Sequence, residues 1–173
     1  IKDMAYEFFF YFFLKKYYVM PYNQFDTTDL KDSVSVIIRN NFINVTTDYQ
    51  DFYTATLVNT GAVLASGSGP PIADFGPNTE NEIKYPKFNI PTDLTDDTII
   101  VKVDYTLTTT AETGEPAKVL ANNAVTHNQV FSNFYAYDDG TPERGYRVFD
   151  LPFYKMAVKY LLRNPDTLQA IKF

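Results

Sequence analysis

The chain has 173 residues, of which 45% are apolar, so it is long enough and apolar enough to bury a core. Its net charge of −6 argues against a nucleic-acid surface, which presents clustered Lys and Arg. The absence of cysteine excludes disulfides and thiolate chemistry. The 15 Phe and 14 Tyr favour β structure, since aromatic side chains fit half-buried pleated surfaces.

The aromatic residues are densest at the N-terminal end. Residues 8–14 read FFFYFFL, which is shorter than the roughly 18 to 20 apolar residues that span a bilayer, so we expect no membrane span. Residues 1–20 lack the basic start and the small-residue cleavage site of a signal peptide, so we expect a mature chain or a fragment. We interpret them as a strand with one buried face; an aromatic patch that packs on a partner is the alternative.

Alternation of apolar and polar residues predicts several β-strands in the middle of the chain. The 98–107 strand is expected to bury one face and to leave Lys102 and Asp104 in water on the other. An Asn-Thr-Gly turn predicts a hairpin, SGSGPP at residues 66–71 is read as a loop, and Pro86 places its strand at an edge or an end. The predicted strands are 32–39, 51–58, 62–65, a short strand around Ile83 and Tyr85, 98–107 and 124–131.

Together with the N-terminal region this makes about seven strands joined by short turns, which is typical of an immunoglobulin-like sandwich. The Cys and Trp that mark such domains are absent. We therefore predict an all-β fold class, with an immunoglobulin-like β-sandwich as the main unit.

The stretch 130–146, VFSNFYAYDDGTPERGY, is interpreted as a joint between two β units. A strand end runs into a tight turn, in which Gly140 supplies positive φ and Pro142 pre-sets the turn. We divide the chain into an aromatic N-terminal strand and connector (1–30), a β-sandwich (31–133), and the joint with an incomplete second β unit (134–173). The residues assigned to the joint are Tyr137, Asp138, Asp139, Gly140, Arg144, Gly145 and Tyr146.

Two further strands are predicted after the joint, MAVKYLL at 156–162 and TLQAIKF at 167–173. A helix over residues 154–162 is the alternative for the first of them. Two strands cannot bury enough surface to stand alone, so we expect missing residues, the first unit or a partner to complete this second unit.

The sequence contains few features that would indicate catalysis or cofactor binding. His127 is the only histidine, and on an alternating strand a structural or solvent-facing role is favoured over a catalytic base. No G-x-S-x-G nucleophile motif occurs, and zinc would need several His, Cys or carboxylate ligands at short range. We therefore predict no enzymatic activity and no cofactor.

The densest acidic cluster lies in the joint. Asp138, Asp139 and Glu143 are candidate Ca²⁺ ligands, since Ca²⁺ takes carboxylate and backbone oxygens. The sequence lacks an EF-hand loop, so turn chemistry is favoured, with the Asp side chains accepting local backbone N–H groups. Arg144 is close enough in sequence to pair with either aspartate, which would hold the joint without a metal.

The joint and its flanks resemble a linker in exported cell-surface proteins of Bacteroidota. The segment AYDDGTPERGY, preceded by THNQVFSNFY and followed by VKYLLRNPDTLQAIKF, is similar to their YAYDDGTAExGYG segment. In those proteins the segment joins an immunoglobulin-like domain to a lectin-like or jelly-roll β-sandwich. The resemblance extends over residues 31–173. In three respects the chain departs from it: Arg147 stands where Gly is usual, the aromatic N-terminus is atypical, and these residues contain no sorting domain.

The resemblance implies an immunoglobulin-like β-sandwich followed by part of a second β-sandwich, exported by type IX secretion to the outer cell surface. We expect a non-enzymatic structural or adhesive module that acts as a spacer or docking unit. Its partner is expected to be another protein or the remainder of a longer chain. The alternatives are a glycan-binding module, in which Tyr154 and Tyr160 form a stacking platform, an accessory domain of a secreted hydrolase, and an accessory subunit of an outer-membrane complex.

Overall fold

The computed structural model describes residues 3–7, 13–137 and 157–171. Most of the regular structure in these ranges is β. The strands are β1 (Met4–Glu7), β2 (Val19–Pro21), β3 (Ser33–Asn40), β4 (Thr47–Leu57), β5 (Ala62–Ser68), β6 (Ile72–Phe75), β7 (Glu80–Pro86), β8 (Ile99–Thr108) and β9 (Ala124–Ser132). The helices are 3-10 turns at Tyr22–Gln24, Thr27–Asp29, Thr110–Glu112 and Ala121–Asn123, and the one-turn α1 (Ala117–Leu120).

The strands form two sheets, so the predicted all-β class is confirmed. The smaller sheet has the order β1-β3-β7, and the larger has the order β2-β9-β8-β4-β5, with β6 also paired to β4. The β2–β9 pair is parallel, whereas the other strand pairs are antiparallel. The predicted β4–β5 hairpin is confirmed.

The two sheets pack through tyrosine rings. Tyr85 of the smaller sheet lies 4.5 Å from Tyr53 and 5.8 Å from Tyr105 of the larger sheet, measured between ring centroids. Tyr6 of β1 lies 6.3 Å from Tyr105. Each ring brings a large apolar area to the interface, and tilted ring pairs of this kind are favourable. The tyrosine excess thus fills a sandwich core that has no tryptophan.

Strict alternation decides which faces are buried. β3 and β8 alternate between buried and partly exposed residues along most of their lengths, as expected from the sequence. On the solvent-facing side of β8, the Lys102 Nζ and the Asp104 carboxylate form an ion pair at 2.8 Å. The alternate residues on the inner faces of these two strands are buried; they are Val34, Val36, Ile38, Ile99, Val101, Val103 and Tyr105.

The structure corrects the sequence interpretation around β4. This strand begins at Thr47, earlier than the predicted residue 51, because its first residues pair with the unpredicted strand β6. Ser66, Gly67 and Ser68 belong to β5 rather than to a loop, since they pair with residues 52–54 of β4. The connection after β8 contains a 3-10 turn in which Glu112 is buried.

The strands predicted downstream of the joint are wrong where they can be assessed. Residues 157–162 and 167–171 form neither strand nor helix, so the alternative helix is also wrong there. Residues 157–171 instead form an exposed, irregular stretch with a bend at 163–164, which we call the downstream segment.

The described part of the aromatic N-terminus packs into the core. It forms the short strands β1 and β2, so its interpretation as strand is confirmed for those residues. Its buried apolar side chains are Met4, Tyr6, Phe13, Leu14, Tyr17, Val19 and Met20. This placement agrees with an N-terminal region that has one buried face.

Candidate docking site

The connector after β2 forms two consecutive 3-10 turns. The second turn is fixed by a capping box: the Asp26 carboxylate accepts the Thr28 N–H at 2.8 Å, and the Asp29 carboxylate accepts the Asp26 N–H at 2.9 Å. The first turn, Tyr22–Gln24, follows Pro21, whose φ of −61° suits the start of such a turn. Both carboxylates and Gln24 are thereby presented by one rigid loop.

Gln24 binds the backbone of the downstream segment through its side-chain amide. Its Oε1 accepts the N–H groups of Arg163 and Asn164 at 2.8 Å and 2.9 Å, and its Nε2 donates to the carbonyl oxygen of Asn164 at 3.0 Å. Gln24 is only 1% exposed. A buried amide that lost these partners would keep an unsatisfied polar group, so the contact holds the segment in one register.

The two carboxylates of the capping box also hold the Arg163 side chain. The guanidinium lies 3.2 Å and 3.3 Å from the Asp29 carboxylate oxygens and 3.3 Å from the Asp26 carboxylate. Hydrogen bonds from the hydroxyl and N–H of Thr28 lower the pKa of Asp26, and Arg163 lowers it further. We call Gln24, Asp26 and Asp29 the docking socket.

A cluster of four tyrosines, Tyr17, Tyr135, Tyr137 and Tyr160, forms the second contact. Tyr160 of the downstream segment stacks on Tyr17 with ring centroids 6.2 Å apart, and it lies 5.2 Å from Tyr137 and 5.5 Å from Tyr135. The Tyr137 hydroxyl donates to the carbonyl oxygen of Lys159 at 2.5 Å. The segment is therefore held at two points along its length.

Burial and hydrogen bonds shift the pKa values of the hydroxyl groups in this cluster. Burial alone would raise the pKa of Tyr17, but the N–H of Leu161, which donates to its hydroxyl at 3.1 Å, and the side chain of Lys16 lower it. Burial raises the pKa of Tyr135 to about 12. Tyr135 stays protonated at neutral pH.

A cavity of about 310 Å³ lies between the connector and the downstream segment. The side chains of Lys15, Lys16 and Tyr17 line one side of it, and Leu161 and Leu162 line the other. Leu161 and Leu162 remain 58% and 50% exposed. These two leucines therefore contribute little apolar burial, and the segment is held by the docking socket and by the ring contacts of Tyr160.

Of the joint residues predicted to form the site, the structure describes Tyr137, and it brings that residue to the tyrosine cluster. The others lie outside the described residues, so the calcium and turn hypotheses stay predictions. In ranges 3–7, 13–137 and 157–171, no group of three or more His, Cys, Asp or Glu residues is arranged to hold a metal. The joint and calcium candidates outside the description are Asp138, Asp139, Gly140, Glu143, Arg144, Gly145 and Tyr146.

His127 lies on the inner face of β9, where it has a packing role. Its ring centroid is 5.6 Å from that of Phe13. Burial, and to a smaller extent Lys31, lowers the pKa of His127 to about 4. The imidazole is therefore neutral at physiological pH.

Sequence reasoning missed the docking socket. The Asp-x-x-Asp spacing of Asp26 and Asp29 signals a capped turn, but Gln24 carries no local signal because its partners lie 139 and 140 residues away. The sequence places Arg163 in a turn between two predicted strands and does not mark it as a binding residue.

Comparisons with known protein families, with curated proteins and with solved structures found no match. Within the described ranges, no helix has both the length and the apolar character needed to cross a membrane. The interpretation of the docking socket therefore rests on its own geometry. Its amide and carboxylates complement a peptide backbone and a guanidinium, which is the chemistry of peptide binding.

Proposed function

We propose that this chain is a non-enzymatic, exported structural or adhesive module at the outer cell surface, which acts as a spacer or docking unit. An immunoglobulin-like sandwich would hold the downstream segment that follows the joint in a fixed position. One observation carries the proposal: the docking socket binds the backbone and side chain of Arg163 and the backbone of Asn164.

A spacer must transmit position from one unit to the next. The downstream segment is exposed along its whole described length, yet Gln24, Asp26 and Asp29 fix it at one register. Charge-assisted and bidentate contacts of this kind add geometric specificity. The resemblance of the joint to linkers of exported proteins supports the outer-surface location.

Nuclear magnetic relaxation of the intact chain tests the fixed linkage. We expect backbone order parameters near about 0.85 at residues 159–164, as in rigid backbone, and lower values in Arg163→Ala. Arg39→Ala is the matched control, because Arg39 also binds two carboxylates, Glu7 and Glu80, but far from the socket.

Low order parameters in the downstream segment of the wild-type chain would contradict the proposed fixed linkage. It also fails if Arg39→Ala loosens residues 159–164 as much as Arg163→Ala does. Antibody labelling of intact source cells tests the location separately, and labelling that appears only after lysis would exclude a surface module.

Glycan binding is a second candidate, favoured by an exposed tyrosine of the cluster. Tyr160 is 43% exposed and lies beside the cavity, where a ring face can stack on a sugar. The other predicted platform residue, Tyr154, lies outside the described residues. Glycan-array binding that is lost in Tyr160→Ala and kept in Phe134→Ala would support this function; no binding to any glycan would exclude it.

A further inference from the structure

Two carboxylates are buried where β1 meets the connection between β8 and β9. Asp3 directly precedes β1, is 5% exposed, and accepts the Asn41 side-chain N–H at 3.4 Å. Glu112 ends the 3-10 turn that follows β8 and is 3% exposed. Among the described residues, neither carboxylate takes part in an ion pair. Buried charges in proteins are normally paired with an opposite charge or bound to a metal ion.

Neutral N–H groups hold both carboxylates in place. The Glu112 Oε1 accepts the backbone N–H of Met4 at 2.5 Å, and its Oε2 accepts the side-chain N–H of Asn123 at 2.5 Å. The Asp3 carboxylate accepts the side-chain N–H of Asn122 at 2.8 Å. Since Asp3 is adjacent to Met4, and Asn122 to Asn123, these contacts form one cluster. The donors orient the carboxylates but supply no positive charge.

The same cluster contains two buried amide oxygens without a partner. Asn123 is 8% exposed, and its Oδ1 accepts no hydrogen bond in the described part of the chain. The Oδ1 of Asn122 is also buried and accepts none. Buried polar atoms are nearly always paired, so these oxygens indicate a further binding partner. A water molecule could pair with the oxygens, but it would leave the two negative charges unbalanced.

A hard cation satisfies both the charges and the oxygens. Ca²⁺ takes six to eight oxygen ligands from carboxylates, amide carbonyls and water, at about 2.3–2.6 Å. A half-turn of each side-chain amide exchanges its nitrogen and its oxygen, and so turns the oxygen towards the carboxylate. Without a cation this arrangement is repulsive, whereas around Ca²⁺ it gives four protein ligands. The set has only two acidic ligands, so the amide oxygens are needed to complete it.

We propose that Asp3, Glu112, Asn122 and Asn123 form a structural Ca²⁺ site. The ion links β1 of the smaller sheet to the connection between two strands of the larger sheet, so it fastens the two sheets together. Its two positive charges balance the two carboxylates. The site is separate from the calcium candidates of the joint, and it departs from the sequence-based prediction of no cofactor. The inference stands independently of the proposed function.

Thermal unfolding of the intact chain, freed of metal ions by a chelator, tests the proposal. We expect added Ca²⁺ to raise the unfolding temperature with an apparent dissociation constant of about 0.1–1 mM, as in extracellular modules. In Glu112→Gln this constant should rise at least about tenfold, because the charge of the ligands sets the affinity. Asp104→Asn is the matched control: Asp104 already pairs with Lys102, so its replacement should leave Ca²⁺ binding unchanged.

Two further controls separate this site from other effects of Ca²⁺. Mg²⁺ at the same concentrations measures the screening of the net charge of −6, and an equal stabilisation by Mg²⁺ would overturn the proposal. The triple variant Asp138→Asn/Asp139→Asn/Glu143→Gln removes the carboxylates of the joint and should keep the Ca²⁺ effect. If the effect is lost in the triple variant and kept in Glu112→Gln, the ion binds at the joint and the proposal is wrong.

Hydrogen exchange of the wild-type chain gives a second readout that does not depend on substitution. Ca²⁺ at about 10 mM, well above the expected dissociation constant, should slow exchange at the amide of Met4 and at residues 121–123. Amides of β5, on the far edge of the larger sheet, should not change. Exchange at Met4 that is the same with and without Ca²⁺ would overturn the proposal.

Discussion

Asp51 is a carboxyl group buried inside the sandwich. It is 0% exposed, and neither of its carboxylate oxygens has a hydrogen-bond partner among the described residues. Burial raises the pKa of Asp51 more than the nearby N–H groups of Asp51 and Gly69 lower it. Folding stability is therefore lost as the pH rises from the unfolded pKa to the higher folded pKa. At neutral pH, Asp51 weakens the fold.

We expect Asp51→Asn to raise the free energy of unfolding at neutral pH by about 1 kcal/mol, because the variant no longer buries an ionisable carboxylate. Denaturant unfolding measures the change, and the gain should shrink as the pH falls towards about 4. Asp97→Asn, at an exposed position, is the control. A loss of stability in Asp51→Asn at neutral pH would show that the fold compensates the ionised carboxylate.

His127 has the opposite effect on the pH dependence of folding stability, and its effect falls in the acidic range. Its pKa falls on folding from 6.5 to about 4. Between these pH values the unfolded chain binds a proton at His127 and the folded chain does not. Folding stability should therefore decrease as the pH falls from 6.5 to about 4, by roughly 3 kcal/mol from this group alone.

Replacement of the imidazole by a phenyl ring isolates this contribution. His127→Phe keeps an aromatic ring against Phe13 and removes the titration, so its stability should fall less steeply over that pH range. Unfolding curves of both proteins across the range measure the difference in slope. Parallel slopes would mean that His127 titrates normally in the folded chain.

At the scale of elements, the β4–β5 hairpin depends on one backbone conformation. Gly61 has φ +74°, and its N–H donates to the carbonyl oxygen of Leu57 at 2.8 Å. A Cβ there would meet no atom within 4 Å, so any cost of Gly61→Ala comes from the backbone alone.

We expect Gly61→Ala to destabilise the chain by about 1 kcal/mol, the cost of placing a residue with a side chain in left-handed backbone. Gly76→Ala should be nearly neutral, because Gly76 has no positive φ and its Cβ would lie 3.6 Å from the Thr79 side chain. Thermal unfolding compares the two. Equal losses in both variants would contradict the account.

The sequence predicts an element correctly where a single residue pattern determines which face of that element is buried. The alternation of β8 fixes its buried face, because side chains of a strand point alternately to the two sides. β6 carries no such pattern, since it has four residues, and Asp74 within it has φ +56°. The end of β5 was read as a loop because of Gly67, yet this glycine is needed there: a Cβ would lie 2.8 Å from the Tyr53 ring.

At the scale of the whole molecule, the docking site depends on contacts that no local pattern contains. Tyr137 was predicted as a site residue because it stands beside a distinctive turn sequence. Gln24 was not, because a glutamine in a connector is usually solvated, and its burial follows only from the path of residues 140 positions away. The downstream segment has strand-like composition, but it lies against the connector and pairs with no described strand.

The central claim is that Gln24 fixes the downstream segment to the sandwich. Hydrogen exchange of the intact chain tests it directly, at the amides of Arg163 and Asn164, which donate to the Gln24 Oε1. We predict that both amides are protected and that they exchange at least about tenfold faster in Gln24→Ala, while Gln50→Ala leaves them unchanged. Exchange of these amides at the rate of an unstructured peptide in the wild-type chain would contradict the account.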